Sequence, residues 1–279
     1  MTILVTGDAG RIGKRVVALL HSHGHETRGF DTINGFDLRD FAQVRDAVRG
    51  VDAIVHAGAI PSDRKGHEEA VFASNAQGTW NILLSALEEG IKRVVHFSSV
   101  NALGAVGGHR PPLYFPVGDD YPHHPLTPYQ IAKHISEETC RAFVDRWGME
   151  IISLRPMFVS ERSYYERWDR MQNSPGAIGD FWGYVDIDDV ADAVYLSLTK
   201  PVTGYHAFLL CADDISRTGP TASLITEHYP NVPWRVPMQE WFAQNSDRAL
   251  MDTTEAKRVL GWQPTRSWRD VVPATATEK

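Results

Sequence analysis

The sequence predicts an α/β protein: a doubly wound parallel sheet with a small C-terminal lobe. Three observations carry that reading. Short apolar runs alternate with longer amphipathic ones through the first 155 residues, a glycine-rich turn follows the first run, and the pattern breaks after Pro156. Strands separated by helices of about ten or more residues pair in parallel through right-handed crossovers, so helices cover both faces of one sheet.

The elements follow in order. Residues 3–6 are an apolar first strand, and residues 10–23 a helix opened by glycine. Residues 27–30 are a weak strand, 40–49 a helix, 53–56 a strand, and 68–89 one long helix. Residues 94–98 form the fourth strand, 129–147 a helix and 151–154 the fifth strand. Residues 157–183 hold many aromatics with no clear period. The helix over 186–199 has an acidic first turn, which suits the positive end of a helix. Residues 205–210 are a further strand, and the prolines from Pro201 onward punctuate short helices and loops. The chain therefore divides into a core over 1–156 and a smaller lobe over 157–279, interleaved with the last helix and strand of the core. The lobe is expected over the C-terminal edge of the sheet, where ligands of such folds sit.

The 279 residues suffice for a full core and one or two domains. Lys plus Arg is 28 against 35 Asp plus Glu, a net charge of −7. An acidic chain lacks the positive field that holds nucleic acid or anionic lipid. No apolar run approaches the roughly 18 residues of a membrane span. Met1-Thr2-Ile3-Leu4-Val5 has no basic region of the kind that opens a secretory signal. Cys140 and Cys211 are too few for a disulfide framework, so a reducing, cytoplasmic setting is expected.

Thr6-Gly7-Asp8-Ala9-Gly10-Arg11-Ile12-Gly13 lies between the first strand and the first helix. Its glycines allow a tight turn and close approach of backbone to a pyrophosphate, and the helix N-terminus supplies the field. A purely structural turn is the plainer alternative. Asp31 ends the second strand, at the spacing of the acid that binds an adenosine ribose, and it would repel a 2′-phosphate. Arg11 and Arg28 are nearby cations that would act the other way.

Tyr129 and Lys133 stand four apart on a helix and share one face. A lysine cation beside a phenol lowers its pKa, which fits Tyr129 for proton transfer at a hydroxyl or carbonyl. Ser98-Ser99 ends the fourth strand, at the same edge of the sheet.

These residues, with Asp37-Leu38, His56-Ala57-Gly58-Ala59, Asn75-x-x-Gly78-Thr79, Leu154-Arg155-Pro156, Asp186 to Ala191 and Leu260-Gly261-Trp262-x-Pro264, span most of the chain. In that order they resemble the extended short-chain dehydrogenase/reductase family of NAD-dependent epimerases and dehydratases, with a Rossmann core. The form of the glycine turn is similar to that of uronate dehydrogenases. The resemblance implies NAD as cofactor, held by Gly7, Gly10, Arg11, Ile12, Gly13 and Asp31. It places Asp37 and Leu38 at the adenine, and His56, Ala57 and Gly58 along the adenosine and pyrophosphate. Asn75 approaches the cofactor or braces the strands, and Pro156 and Met157 lie beside the carboxamide. Tyr129 is implied as acid–base and Lys133 as the group that binds the nicotinamide ribose. Ser99, five residues before Gly104, is implied as the catalytic serine in preference to Ser98. Relatives pair helices matching residues 68–89 and 127–147 into a four-helix dimer, so a homodimer is expected.

Departures narrow the substrate. No Asn follows the fifth strand, and only residues 157–183 separate Pro156 from Tyr184-Val185-Asp186, a short lobe for a nucleoside diphosphate. Val100-Asn101 after Ser99, in place of acids, disfavours dehydration. Ser99, Asn101, Arg162 and Arg167 are the candidate substrate contacts, with Arg170 beside them; helix arginines facing solvent are the plainer alternative. Tyr164, Tyr165, Trp168, Phe181 and Trp182 either stack on a sugar or form the core of the lobe. His21, His23 and His25 cluster at a helix end without carboxylates to complete a metal site, and no metal is expected. The expected activity is NAD-dependent oxidation or reduction at a secondary alcohol of a small sugar or sugar acid. A sugar epimerase is the alternative, and a nucleotide-sensing regulator a third reading that the Tyr129/Lys133 pair disfavours.

Overall fold

The computed structural model describes residues 1–61, 63, 65–165, 168 and 174–272. In chain order the elements are β1 (Thr2–Thr6), α1 (Arg11–Ser22), β2 (Glu26–Phe30), α2 (Phe41–Val48), β3 (Ala53–His56), α3 (Glu68–Phe72), α4 (Gly78–Glu88), β4 (Arg93–Phe97) and α5 (Pro128–Trp147). They continue with β5 (Glu150–Pro156), β6 (Phe158–Ser160), α6 (Arg162–Tyr165), α7 (Pro175–Gly179), β7 (Tyr184–Asp186), α8 (Ile187–Thr199), β8 (Tyr205–Leu210), α9 (Thr221–His228), α10 (Met238–Trp241) and α11 (Thr254–Leu260). The main sheet has the order β2-β1-β3-β4-β5-β8, and every pair in it is parallel. A small parallel pair, β6-β7, stands apart from it.

The pleat explains the two layers of helix. Ile3 and Val5 of β1 face Val16 and Leu20 of α1 and Val190 and Val194 of α8. Leu4, between them, faces the opposite cluster, with Val44 of α2, Ile82 of α4 and Phe143 of α5. Both faces of the strand are apolar because both are covered, as in parallel sheets generally. The helix starts are set locally. Asp40 accepts from the N–H groups of Ala42 and Gln43 at the head of α2, and Asp186 accepts from Asp188 N at the head of α8. Thr127 caps α5 with Pro128 in its first turn, and Gly148 ends α5 at φ 67°. Among the described residues no helix is long and apolar enough to cross a membrane.

Two expectations need correction. The helix over 68–89 is not regular: residues Ala73–Gln77 form a π-helical turn between α3 and α4. The wide turn presents Asn75, whose side chain bonds both N–H and C=O of Ile60 at 2.8 and 3.0 Å. Its backbone carbonyl takes hydroxyls from Thr79 and Ser136. The lobe is also not drawn from residues after 156 alone. Val100, Leu103, Val106, Phe115, Val117 and Tyr121, from the long connection after β4, are buried with Phe181, Trp182, Ile225 and Trp241.

Candidate active site

A cavity of about 750 Å³ runs along the C-terminal edge of the sheet. That is within the range of cofactor and ligand clefts. One end is built by the turn between β1 and α1. Gly7 is at φ 69°, and a Cβ there would come within 2.8 Å of Gly58 N. A Cβ on Gly13 would lie 2.0 Å from Gly7 O, so no side chain fits the turn. Gly10 caps α1 without a side-chain acceptor, which leaves the first N–H groups of the helix facing the cavity at Arg11, Ile12 and Gly13. Such an end receives an anion. Thr6 Oγ1 accepts from Gly58 N at 2.9 Å and tethers the β3 loop to the turn.

Asp31, Asp37 and Leu38 line the next stretch. Asp31 caps a short turn, accepting from Ile33 N at 3.1 Å. Arg28 points away from the cavity and donates to the carbonyls of Ala47 and Arg49, both at 2.7 Å. Arg39, which the sequence reading missed, lines the cavity and grips Asp37 with Nε and a terminal nitrogen. This grip holds the Asp37 carboxyl below its ordinary pKa. Arg11 also lines the cavity, donating to Val159 O at 2.7 Å with its guanidinium over Tyr164.

Ser99, Asn101, Tyr129, Lys133, Pro156 and Met157 close the far end. The end of β4 supplies Ser99, α5 supplies Tyr129 and Lys133, and β5 supplies Pro156. Lys133 is buried, and its Nζ donates to Phe97 O at 2.6 Å while standing 5.9 Å from the centre of the Tyr129 ring. Burial lowers its pKa to about 8, against the opposing pull of Glu137. Burial pushes Tyr129 up to about 12, and a hydrogen bond with Ser99 draws it back down. The expected lowering of the phenol pKa by Lys133 is not seen: burial sets the direction of the shift, and the group that opposes it is Ser99. Ser98 turns inward and donates to Glu137, which also forms a bidentate, fully buried pair with Arg155 at 2.8 and 2.6 Å.

The remaining expected residues lie elsewhere. His56 is buried beneath the cavity, between Thr6 Oγ1 and Thr79 Oγ1 at 2.8 and 3.1 Å, and burial drops its pKa to about 3. Neither His56 nor Asn75 lines the cavity, and Asn75 instead braces the loop at Ile60. Arg162 is exposed on α6 and outside the cavity wall, while Arg167 and Arg170 fall outside the described residues. Tyr165 and Trp168 are buried with Tyr184 and Trp268, and Phe181 and Trp182 are buried in the lobe, so these rings are core. His21 bonds Thr27 Oγ1 at 2.8 Å, and His23 lies against Tyr195. His123, His134 and Glu138 bring ligand-type atoms within 4.8 Å of one another. The Arg155 guanidinium, 3.2 Å from His123 Nε2, makes that nitrogen an acceptor, so His123 Nδ1 carries the proton and donates to His134 at 2.6 Å.

Residues 3–164, more than half the chain, match the model of the NAD dependent epimerase/dehydratase family. The chain belongs to that family. Sterol demethylase protein B of Methylococcus capsulatus is 33% identical over 49% of this chain and 45% of its own length. A uronate dehydrogenase of Pseudomonas syringae pv. tomato is 28% identical over 55% and 58%. The chain thus spans about half the length of these curated relatives. A UDP-glucose 4-epimerase of Mycolicibacterium smegmatis is 28% identical over 95% of this chain and 94% of its own. Among solved structures, a short-chain dehydrogenase/reductase superfamily protein from Agrobacterium tumefaciens with bound NAD superposes with a TM-score of 0.72, at 26% identity over 97% of this chain and 94% of that one. Membership of the NAD dependent epimerase/dehydratase family accords with the glycine turn at one end of the cavity and the Ser99, Tyr129 and Lys133 group at the other.

Proposed function

We propose that the protein is an NAD-dependent dehydrogenase that oxidises a secondary alcohol of a small sugar or sugar acid. The observation that carries this reading is the single cavity joining the uncapped N-terminus of α1 to Ser99, Tyr129 and Lys133. The residues fit NAD: the glycine turn and α1 receive the pyrophosphate, Asp31 the adenosine ribose, and Lys133 the second ribose. NAD held there would supply the hydride acceptor. Tyr129 takes the hydroxyl proton in its phenolate form, which the bound cofactor's positive charge and the Ser99 hydroxyl would favour, as the C–H bond gives up its electron pair, and Ser99 holds the oxygen that becomes the carbonyl. His56 and Asn75 support the site from beneath. The short segment after β6 suits a free monosaccharide or sugar acid, and the likeness to uronate dehydrogenases favours the acid. The protein works in a reducing cytoplasm, as a homodimer.

The second reading is a nucleotide-sugar epimerase, favoured by the nearly full-length likeness to a UDP-glucose 4-epimerase. The two share their catalytic residues and differ in turnover. A panel of sugars, sugar acids and nucleotide sugars, followed by NADH absorbance, is expected to release NADH with a hexuronate or free sugar. Calorimetry with UDP is expected to show no binding. Tight UDP binding with no NADH from any small sugar or sugar acid would overturn the dehydrogenase reading in favour of the epimerase.

A further inference from the structure

We infer that Gln130 and Asn101 fix the direction of the Ser99 hydroxyl proton, holding Ser99 as a donor to the reacting oxygen. This deepens the dehydrogenase reading and rests on it. Gln130 is buried in the first turn of α5, and its side-chain oxygen is already committed. Oε1 accepts from Leu126 N at 2.8 Å and Thr127 N at 3.4 Å, the return half of the Thr127 capping box. A side-chain amide with its oxygen so placed presents its nitrogen on the other side. Gln130 Nε2 faces Val106 O at 3.4 Å and Asn101 Oδ1 at 3.5 Å.

The second contact is long for a hydrogen bond, and its weight lies in its sign. Turning Asn101 round would set two NH2 groups against each other. With Oδ1 kept toward Gln130, Asn101 Nδ2 points at Ser99 Oγ, 3.3 Å away. The backbone N–H of Asn101 reaches the same oxygen at 3.2 Å. A hydroxyl has two lone pairs and one proton. Asn101 occupies both lone pairs of Ser99, which leaves its one proton for Tyr129 in the free protein and for the substrate oxygen once substrate enters the cavity they share. The cap of α5 thus sets the polarity of a hydroxyl at the end of β4. Gln130 and Asn101 are positioning residues: they act through Ser99.

Gln130→Glu tests this. The carboxylate still accepts from Leu126 and Thr127 and sits at a helix N-terminus, where negative charge is tolerated, so the fold survives. Its other oxygen is an acceptor, which turns the Asn101 amide and brings Oδ1 onto Ser99 to take its proton. We expect kcat to fall about 10²- to 10³-fold, the scale of losing one donor to a reacting oxygen, with NAD affinity by calorimetry unchanged and a somewhat lower Tm, because Val106 O also loses its donor. In a Ser99→Ala background the same substitution is expected to cost nothing further, because both changes remove one interaction. A kcat within twofold of wild type in the folded variant, or an equal loss in both backgrounds, overturns the inference. In the free protein labelled with 15N-asparagine, an NOE is expected from the Asn101 side-chain NH2 to the Ser99 β protons, lost in Gln130→Glu. Its absence from wild type overturns the inference without any substrate. A protein that shows the NOE but oxidises no sugar overturns the dehydrogenase reading alone.

Discussion

At Tyr129 burial raises the cost of the phenolate while Ser99 lowers it, so the residue is a proton donor that needs its surroundings to become an acceptor. Tyr129→Phe keeps the ring and removes the proton. Turnover should fall by about 10² to 10⁴ with NAD affinity nearly unchanged; activity above about a tenth of wild type would mean that another group moves the proton. The shared face of Tyr129 and Lys133 was legible from their spacing, because helical periodicity is local. The direction of the pKa shift was not, because desolvation depends on what other elements lay over the ring. The place of Asp31 on the cavity wall was legible from its distance to the glycine turn. With Arg28 engaged by the carbonyls of Ala47 and Arg49, Asp31→Asn should weaken NAD and improve NADP. Equal or better turnover of the unmodified protein with NADP would contradict this. Away from the site, Asp119 accepts from Leu209 N through Oδ1 at 2.6 Å, while Oδ2 is buried with no hydrogen bond among the described residues. Burial raises its pKa from 3.8 to about 7. The folded state therefore prefers the protonated acid, and the stability this gives is complete below about 3.8 and is lost progressively as pH rises from there to about 7. Asp119→Asn should raise Tm by a few degrees at pH 8, by less at pH 5 and hardly at all at pH 3, as read by calorimetric scans at the three pH values.

The elements whose ends are set by neighbouring residues were the most legible. Asp40, Thr127 and Asp186 each cap the helix they precede, through bonds that close within three residues. The π-helical turn around Asn75 was hidden because its cause is distant: the partner is Ile60, reached only when the loop after β3 folds back. Its amphipathic period continues on both sides, so the sequence reads as one helix. The turn between β1 and α1 shows how tightly an element can constrain its residues. Gly13→Ala puts a Cβ 2.0 Å from Gly7 O, against backbone that cannot move without opening the turn. NAD affinity should drop at least tenfold by calorimetry, with a lower Tm, whereas Gly24→Ala, at a positive φ but with nothing within 4 Å, should cost stability alone. Unchanged NAD binding by Gly13→Ala would show that the turn does not seat the cofactor.

On the scale of the whole molecule, the parallel sheet was legible because its central strands are apolar runs between helices, β2 at the edge being the weak one. The lobe was not, because its core joins residues 100–121 to others beyond 180, and no local period marks side chains that meet only across the fold. Surface exposure shows a further feature of that kind. Phe72 of α3, Trp80 of α4 and Ile131, Ile135 and Trp147 of α5 are 45, 47, 38, 36 and 45% exposed. Trp80 meets Phe143 edge-on and Phe143 lies against Trp147, so the large rings of the two helices adjoin. Trp80 and Trp147, joined through Phe143, make an exposed apolar patch across α4 and α5, and Ile131 and Ile135 add a second apolar strip on α5; such surface marks an interaction site. The occupant we propose is a second copy of the same helices, which covers both faces at once by two-fold symmetry. Sedimentation at micromolar concentration should then give twice the chain mass of 31.2 kDa. Trp80→Glu with Ile131→Glu should give single chains, because each protomer would bring charges to an apolar interface. Neither side chain lines the cavity, so NAD binding by the separated chains should persist. A wild-type protein that sediments as one chain would assign this face to a different partner.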